Sequence, residues 1–207
     1  KQIDAAWAVG TAAGGIDTGS VAADTTYAIW LIIRSDTGVV DVLFSASFTS
    51  PTMPTSYDYK RLVGFVVTDS SSNILGFRQS ADLFFFKDAP AQLEDTSITH
   101  HTFETGTAPL PPSSLAILSV TNSNTTSTTS LCRVSIRDNG STEAANEPFT
   151  YSEVNTRSDQ LAGITMERIV GLNSDSRFGY ATNEHTGAAT MYIDYRGCIM
   201  LTRSKPS

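Results

Sequence analysis

The sequence is poor in basic residues, histidine and cysteine, and each shortage excludes a class of function. Lys and Arg total 14 of 207 residues against 21 Asp and Glu, so the net charge is −7. Without a basic cluster, we expect no binding to nucleic-acid phosphates or to an anionic membrane surface. The two cysteines have no nearby histidine partners, as a zinc site would require. We therefore expect no metal and no cofactor.

The two cysteines, Cys132 and Cys198, both lie in predicted strands. We expect buried free thiols that pack as small hydrophobic side chains. A disulfide between them stays open as an alternative, because only the geometry decides whether strands distant in sequence bring two sulfur atoms together.

Long apolar runs are also missing. The longest, residues 27–33, is far shorter than the ~20 residues that a helix needs to span a membrane, and no signal peptide is visible. We therefore expect no membrane insertion. Because the chain begins at Lys1 and not at Met, we expect a processed or excised piece of a protein, or a numbering that omits an upstream segment.

Serine and threonine are abundant, with 52 residues or about a quarter of the chain. This composition is poor for helices and suits the exposed faces of β-sheets and polar loops. Residues 27–33 form a continuous apolar run that predicts a buried strand. After a turn at 35–38, alternating Val40, Val42 and Phe44 predict a second strand and therefore a hairpin with one buried face.

Similar short segments continue to the end of the chain and predict about eleven strands with no convincing helix. Short strands separated by turns indicate an all-β protein, an antiparallel β-sandwich with a jelly-roll-like arrangement. We expect residues 1–15 to form an N-terminal arm or lead-in and residues 16–207 to form a single β-sandwich domain. The prolines at 111 and 112 favour a crossover between sheets near 104–114.

Inspection reveals no catalytic motif, neither a Gly-x-Ser-x-Gly elbow nor a phosphate-binding glycine loop nor a His-Glu-x-x-His zinc motif. His100 and His101 are adjacent, so on a strand their side chains point to opposite faces and cannot readily chelate one metal. No two acidic residues stand out as the carboxylate pair of a glycosidase. We therefore predict a protein that is not an enzyme.

Aromatic residues are the better candidates for binding. Trp7, Tyr57 and Tyr59 lie in loops or on partly polar strands, where exposed rings stack on sugars or anchor protein interfaces. Packing in the core is the alternative for each of them. Tyr57 and Tyr59 stand beside a loop with two prolines and are the pair of most interest.

A further set of residues carries a resemblance to a known module. These are Asp17-Thr-Gly-Ser20, Tyr27, the run 29–33, Gly38-Val-Val-Asp-Val-Leu-Phe-Ser45, Pro51-Thr-Met-Pro54, Tyr57 and Lys60-Arg-Leu-Val-Gly64. In this order and spacing they resemble a module that recurs in structural proteins of tailed-phage and prophage virions. The similarity covers about a third of the chain. Ser56 stands where the module often has glycine before the tyrosine.

The resemblance implies a non-enzymatic virion protein, a domain of a tail fibre, spike or tail tip that assembles as a homotrimer. Its expected partners are copies of itself, other virion proteins, and a host-surface glycan or outer-membrane protein. The expected location is the surface of the virion after assembly in the host cytoplasm. One alternative is a capsid decoration or head-fibre protein that docks through residues 1–15. A glycan-degrading module is a third interpretation, from another class of function.

Overall fold

The structure, a computed structural model, describes residues 1–90, 93–95, 104–124, 130–138, 151–156, 163–183 and 189–200. Over these ranges the chain forms fifteen strands and no helix, which confirms the predicted all-β class. About eleven strands were expected. The count is higher because several strands have only three to five residues, too few to show an alternating pattern. The jelly-roll arrangement stays a prediction.

The chain divides into two compact units, Lys1–Leu75 and Gly76–Arg203. The strands of the first unit are β1 Gln2–Ala6, β2 Gly14–Ile16, β3 Thr26–Ile33, β4 Val40–Ser45 and β5 Tyr59–Val67. This division differs from the expected lead-in and single domain, since β1 and β2 belong to the sheet of the first unit. Ile3 on β1 is buried in a hydrophobic cluster of that unit.

The five strands of the first unit form one sheet in the order β1-β2-β4-β3-β5. The predicted hairpin is present, because β3 pairs antiparallel with β4 and, on its other side, with β5. Both faces of the sheet carry apolar clusters. One face holds Ile16, Tyr27, Phe44 and Val66, and the other holds Ala28, Trp30, Ile32, Leu43 and Tyr57. Alternation along β3 therefore sends neighbouring side chains into different clusters.

The second unit contains two sheets. Its strands are β6 Phe77–Ser80, β7 Leu83–Phe86, β8 Leu93–Asp95, β9 Glu104–Thr107, β10 Leu115–Asn124, β11 Ser130–Asp138, β12 Tyr151–Thr156, β13 Gly163–Gly171, β14 Arg177–Asn183 and β15 Ala189–Ile199. One sheet has the order β13-β10-β15-β7-β6, with β8 also paired to β15, and the other has the order β12-β11-β14-β9. All pairings in both sheets are antiparallel.

Contacts between the two sheets of the second unit are consistent with a β-sandwich. The Tyr195 hydroxyl on β15 donates a hydrogen bond to the carbonyl of Thr107 on β9 at 3.1 Å. The Tyr195 ring also packs edge to face against Phe178 on β14. The chain passes from the sheet of β9 to the sheet of β10 between Thr107 and Leu115, within the segment where a crossover was expected.

Some sequence predictions fall outside the described residues, among them those on His100 and His101 and the side chain of Cys132. Cys198 is buried and is a free thiol. In the described part of the chain, no helix is long and apolar enough to cross a membrane.

Candidate functional site

The Asp17 side chain shows how the module residues build the first unit. Its Oδ1 accepts a hydrogen bond from the backbone amide of Thr18 at 2.8 Å, and its Oδ2 accepts one from Thr52 at 2.9 Å. The backbone amide of Asp17 donates to the carbonyl of Phe44 on β4 at 2.9 Å. The carboxylate therefore ties the loop after β2 to the proline-containing loop before β5. Charge-assisted hydrogen bonds of this kind stabilise loop geometry.

Tyr57 lies in the core of the first unit and not on its surface. Its side chain is only 5% exposed, and its hydroxyl has no hydrogen-bond partner among the described residues. The ring packs edge to face against Trp7 with centroids 5.2 Å apart. The ring is therefore covered, and the surface role considered for Tyr57 is replaced by packing.

Trp7 is half-buried and covers the part of β4 that β2 does not pair. Its Nε1 donates a hydrogen bond to the carbonyl of Val42 at 3.1 Å, while the amide of Val42 donates to Asp41 Oδ1 at 2.7 Å. Both main-chain groups of Val42 are thus satisfied by side chains. Lys1 Nζ lies 4.8 Å above the Trp7 ring and forms an ion pair with Asp41 at 2.9 Å. These contacts hold Trp7 in place and satisfy the backbone of β4 where it extends past its pairing with β2.

Tyr59 is the candidate that the structure places at the surface, with 64% of the residue exposed. The strand register aligns it with Ile33 on β3 and, beyond that, with Val40 on β4. The next row on the same face contains Arg61 and Leu31. Cross-strand neighbours share a face, so these five residues form one surface, here called the open patch.

The open patch combines apolar side chains with one cation. Leu31 and Ile33 are half-buried, whereas Val40, Tyr59 and Arg61 are exposed. Among the described residues, Arg61 forms no salt bridge. A groove of about 340 Å³ borders the patch and is lined in part by Val9, Val39 and Leu31. The surface can therefore offer a ring and aliphatic groups for stacking, and a guanidinium for an anion or a hydroxyl.

Burial raises the pKa values of two side chains in the second unit. Desolvation raises the pKa of the Cys198 thiol to about 12, partly offset by a hydrogen bond with Ser114. Burial is also the main cause that raises the pKa of Tyr195, and the electrostatic interaction with Tyr180 raises it further. Both groups are kept in their neutral forms at ordinary pH, which is typical of structural and not of reactive side chains.

Of the three predicted surface residues, the structure brings Trp7 and Tyr57 together and places Tyr59 on the opposite face of the sheet. Sequence reasoning missed Arg61, Ile33 and Val40 as neighbours of Tyr59. A signal for Arg61 was present, because it stands two residues after Tyr59 and strand alternation puts both on one face. Within the described ranges, no group of three or more His, Cys, Asp or Glu is placed to hold a metal ion. The chain matches no protein-family model and no curated protein.

Proposed function

We propose that this chain is a non-enzymatic structural protein of a bacteriophage virion, a domain of a tail fibre, spike or tail tip that contacts the host surface as part of a homotrimer. The observation that carries the proposal is the open patch. It presents Tyr59 and Arg61 on the sheet whose strands and loops are built from the residues that resemble the virion module.

The chemistry of the patch favours a host-surface glycan as the ligand. An exposed tyrosine ring offers a large apolar face for a sugar at little entropic cost. Arg61 lies one row away on the same face and can make a bidentate contact with a sugar carboxylate or phosphate. The rest of the chain is acidic overall, so this cation is a local feature and not part of a basic surface.

The patch rests on rigid elements, as a recognition surface requires. Ile33 and Val40 are paired in the β3–β4 ladder, and Tyr59 belongs to β5, which is paired with β3. On the opposite face, Lys60 lies 5.5 Å above the ring of Trp30. Tyr59 and Arg61 therefore extend from a strand that is paired with β3 and also contacts β3 through Lys60 on the opposite face.

Binding of the purified, labelled chain to host cells tests the proposal. We expect wild type to bind, Tyr59→Ala to bind about tenfold more weakly or worse, and Ile74→Ala to bind normally. Ile74 is a suitable control because it is also a partly exposed apolar residue of the first unit. Periodate oxidation of the cells should abolish binding, whereas protease treatment should not.

Other outcomes would identify the alternatives. Equal binding by wild type and Tyr59→Ala would show that the open patch is not the surface that binds the host. Sensitivity to protease alone would indicate an outer-membrane protein as the receptor. Release of sugars from host polysaccharide would establish a glycan-degrading activity. Binding to capsids and not to cells would indicate a decoration protein, in which β1 could not be a free docking arm because Ile3 is buried in the core.

A further inference from the structure

The six-stranded sheet of the second unit carries a row of aligned residues across five of its strands, and the row is apolar on four of them. The register aligns Ile169 on β13, Ile117 on β10, Gly197 on β15, Phe85 on β7 and Arg78 on β6. The adjacent row on the same face contains Leu115, Ile199 and Leu83. The six large apolar residues of these rows, here called the apolar stripe, are Leu83, Phe85, Leu115, Ile117, Ile169 and Ile199.

The apolar stripe lies on the outer face of this sheet. The residues that alternate with it, among them Ala116, Cys198 and Phe84, are fully buried on the other face. In contrast, Ile169 is 62% exposed and Phe85 is 40% exposed. Gly197 lies at the centre of the row, where β7 approaches β15 too closely for a side chain, because a Cβ there would lie 2.0 Å from the carbonyl oxygen of Phe84. The other four residues of the stripe are half-buried. A partly exposed apolar surface of this extent is typical of a protein interface.

The two ends of the stripe carry opposite charges. Arg78 ends the row on β6, beside Phe85. At the other end, Glu167 lies on the same face of β13 as Ile169, two residues away, a separation of about 7 Å. In the part of the chain that the structure describes, neither Arg78 nor Glu167 forms a salt bridge. The β13 end of the stripe in one copy is therefore complementary in charge to the β6 end of the stripe in another copy.

A rotation axis parallel to the strands brings these two ends together. Around such an axis, the β13 side of one copy faces the β6 side of the next copy. Ile169 then packs against Phe85 of its neighbour, and Glu167 comes within reach of the neighbouring Arg78. Opposite charges at the ends of an apolar surface fix both the register and the direction of the contact.

We propose that the apolar stripe is the contact between copies of this chain in a cyclic homo-oligomer with its axis parallel to the strands of this sheet. The inference rests on the proposed function for the number of copies, which is three. Closed rotational symmetry buries the stripe of every copy and leaves none exposed. The occupant of this surface is therefore a second copy of the chain, and not a host ligand.

The test is the mass of the full chain in solution, measured by light scattering. Wild type should have three times the 22.2 kDa of one chain. Ile169→Glu should give monomers, since it places a charge in the apolar contact. Arg78→Glu and Glu167→Arg should each weaken assembly about tenfold or more, and the double variant should restore it. Ile74→Glu, a partly exposed position in the first unit, is the matched control and should remain trimeric.

The charge variants keep the test decisive if Ile169→Glu fails to fold, because Arg78 and Glu167 are both exposed. A monomeric wild type overturns the inference, as does a double variant that assembles no better than the single ones. A dimeric wild type that responds to these changes would retain the stripe as the contact and contradict the copy number taken from the proposed function. A trimer that survives every one of these changes also overturns it, while host binding could still hold. Conversely, assembly that responds as expected in a chain that binds no cells would retain the stripe and contradict the proposed function.

Discussion

Trp7 and Tyr57 pack edge to face, with ring centroids 5.2 Å apart and ring planes at 78°. This pair joins the N-terminal strand region to the loop that precedes β5, and it gives both aromatic residues a structural role. The functional consequence is that Tyr59, two positions after Tyr57 but on the opposite face of the sheet, is the aromatic residue of this group that remains open to a ligand.

The buried Tyr57 hydroxyl leads to a stability prediction. Because it has no hydrogen-bond partner among the described residues, Tyr57→Phe should remove an unsatisfied polar group and raise the free energy of unfolding by about 1 kcal/mol. Tyr27→Phe is the matched control. The Tyr27 hydroxyl accepts a hydrogen bond from the amide of Ala22 at 2.8 Å, so its loss should lower stability by about 1 kcal/mol. Urea unfolding measures both, and a destabilised Tyr57→Phe would contradict the prediction.

Ser56 provides a prediction about the backbone. Its φ is 69°, in the left-handed region that glycine adopts readily and that costs other residues about 1–2 kcal/mol. The module that the sequence resembles often has glycine at this position, and glycine adopts this conformation without a steric penalty. Ser56→Gly should therefore raise the free energy of unfolding by about 1 kcal/mol or slightly less.

Gly38 is the control for the Ser56 prediction. Its φ is 70° and a Cβ there would meet no atom within 4 Å, so Gly38→Ser tests the backbone alone and should destabilise by a similar amount. Thermal unfolding followed by circular dichroism measures the pair. Shifts of the same sign for both variants would show that the left-handed backbone is not the cause.

The buried Cys198 thiol leads us to expect a loss of stability at alkaline pH. Burial raises its pKa in the folded state to about 12 from an ordinary value of 9.0, so the folded state holds the proton more tightly than the unfolded state. Its contribution is therefore fully present below about pH 9 and is lost as the pH rises toward 12. Cys198→Ala should flatten this part of the stability curve. The native thiol should also react slowly with Ellman's reagent, and rapid labelling without unfolding would contradict its burial.

The hydrogen bonds of Asp69 lead us to expect a loss of stability at acid pH. Its Oδ1 accepts hydrogen bonds from the backbone amides of Asn73 at 2.9 Å and Ser71 at 2.8 Å, and the amide of Asn73 is the largest cause that lowers its pKa below 3.8. The stabilisation is present above the unfolded pKa and is lost as the pH falls through the lower folded value. Asp69→Asn should reduce the acid dependence of unfolding, measured by urea titration between pH 2 and about 6. An unchanged slope would contradict this account of the turn.

The local parts of the fold could be predicted from the sequence. Alternation of Val40, Val42 and Phe44 predicts a strand with one buried face, and the structure confirms β4 and its hairpin with β3. The single buried face is wrong, because Val40 is exposed and Leu43 on the other face is fully buried. Tyr59 was also predicted as a candidate surface residue, and the structure places it at the surface. Tyr57 was harder to distinguish from it, because both are tyrosines beside the same loop. Only the turn at Ser56 and the packing on Trp7 direct Tyr57 to the core.

Non-local features could not be predicted in the same way. The incorporation of β1 depends on the burial of Ile3 and on the ion pair between Lys1 and Asp41, which are 40 positions apart. The apolar stripe likewise joins Phe85 and Ile169 from distant segments, and its alignment depends on a bulge in β15 opposite Ile117. Such register is set by the whole sheet, because one residue of slippage moves every side chain to the other face.

A cryo-electron microscopy map of the parent particle, with this chain located in it, tests the central claim most directly. The account predicts threefold density at a fibre, spike or tail tip, with the apolar stripe of each copy buried against its neighbour and Tyr59 and Arg61 left accessible to the host surface. Density on the capsid lattice would contradict host contact and identify a decoration protein instead.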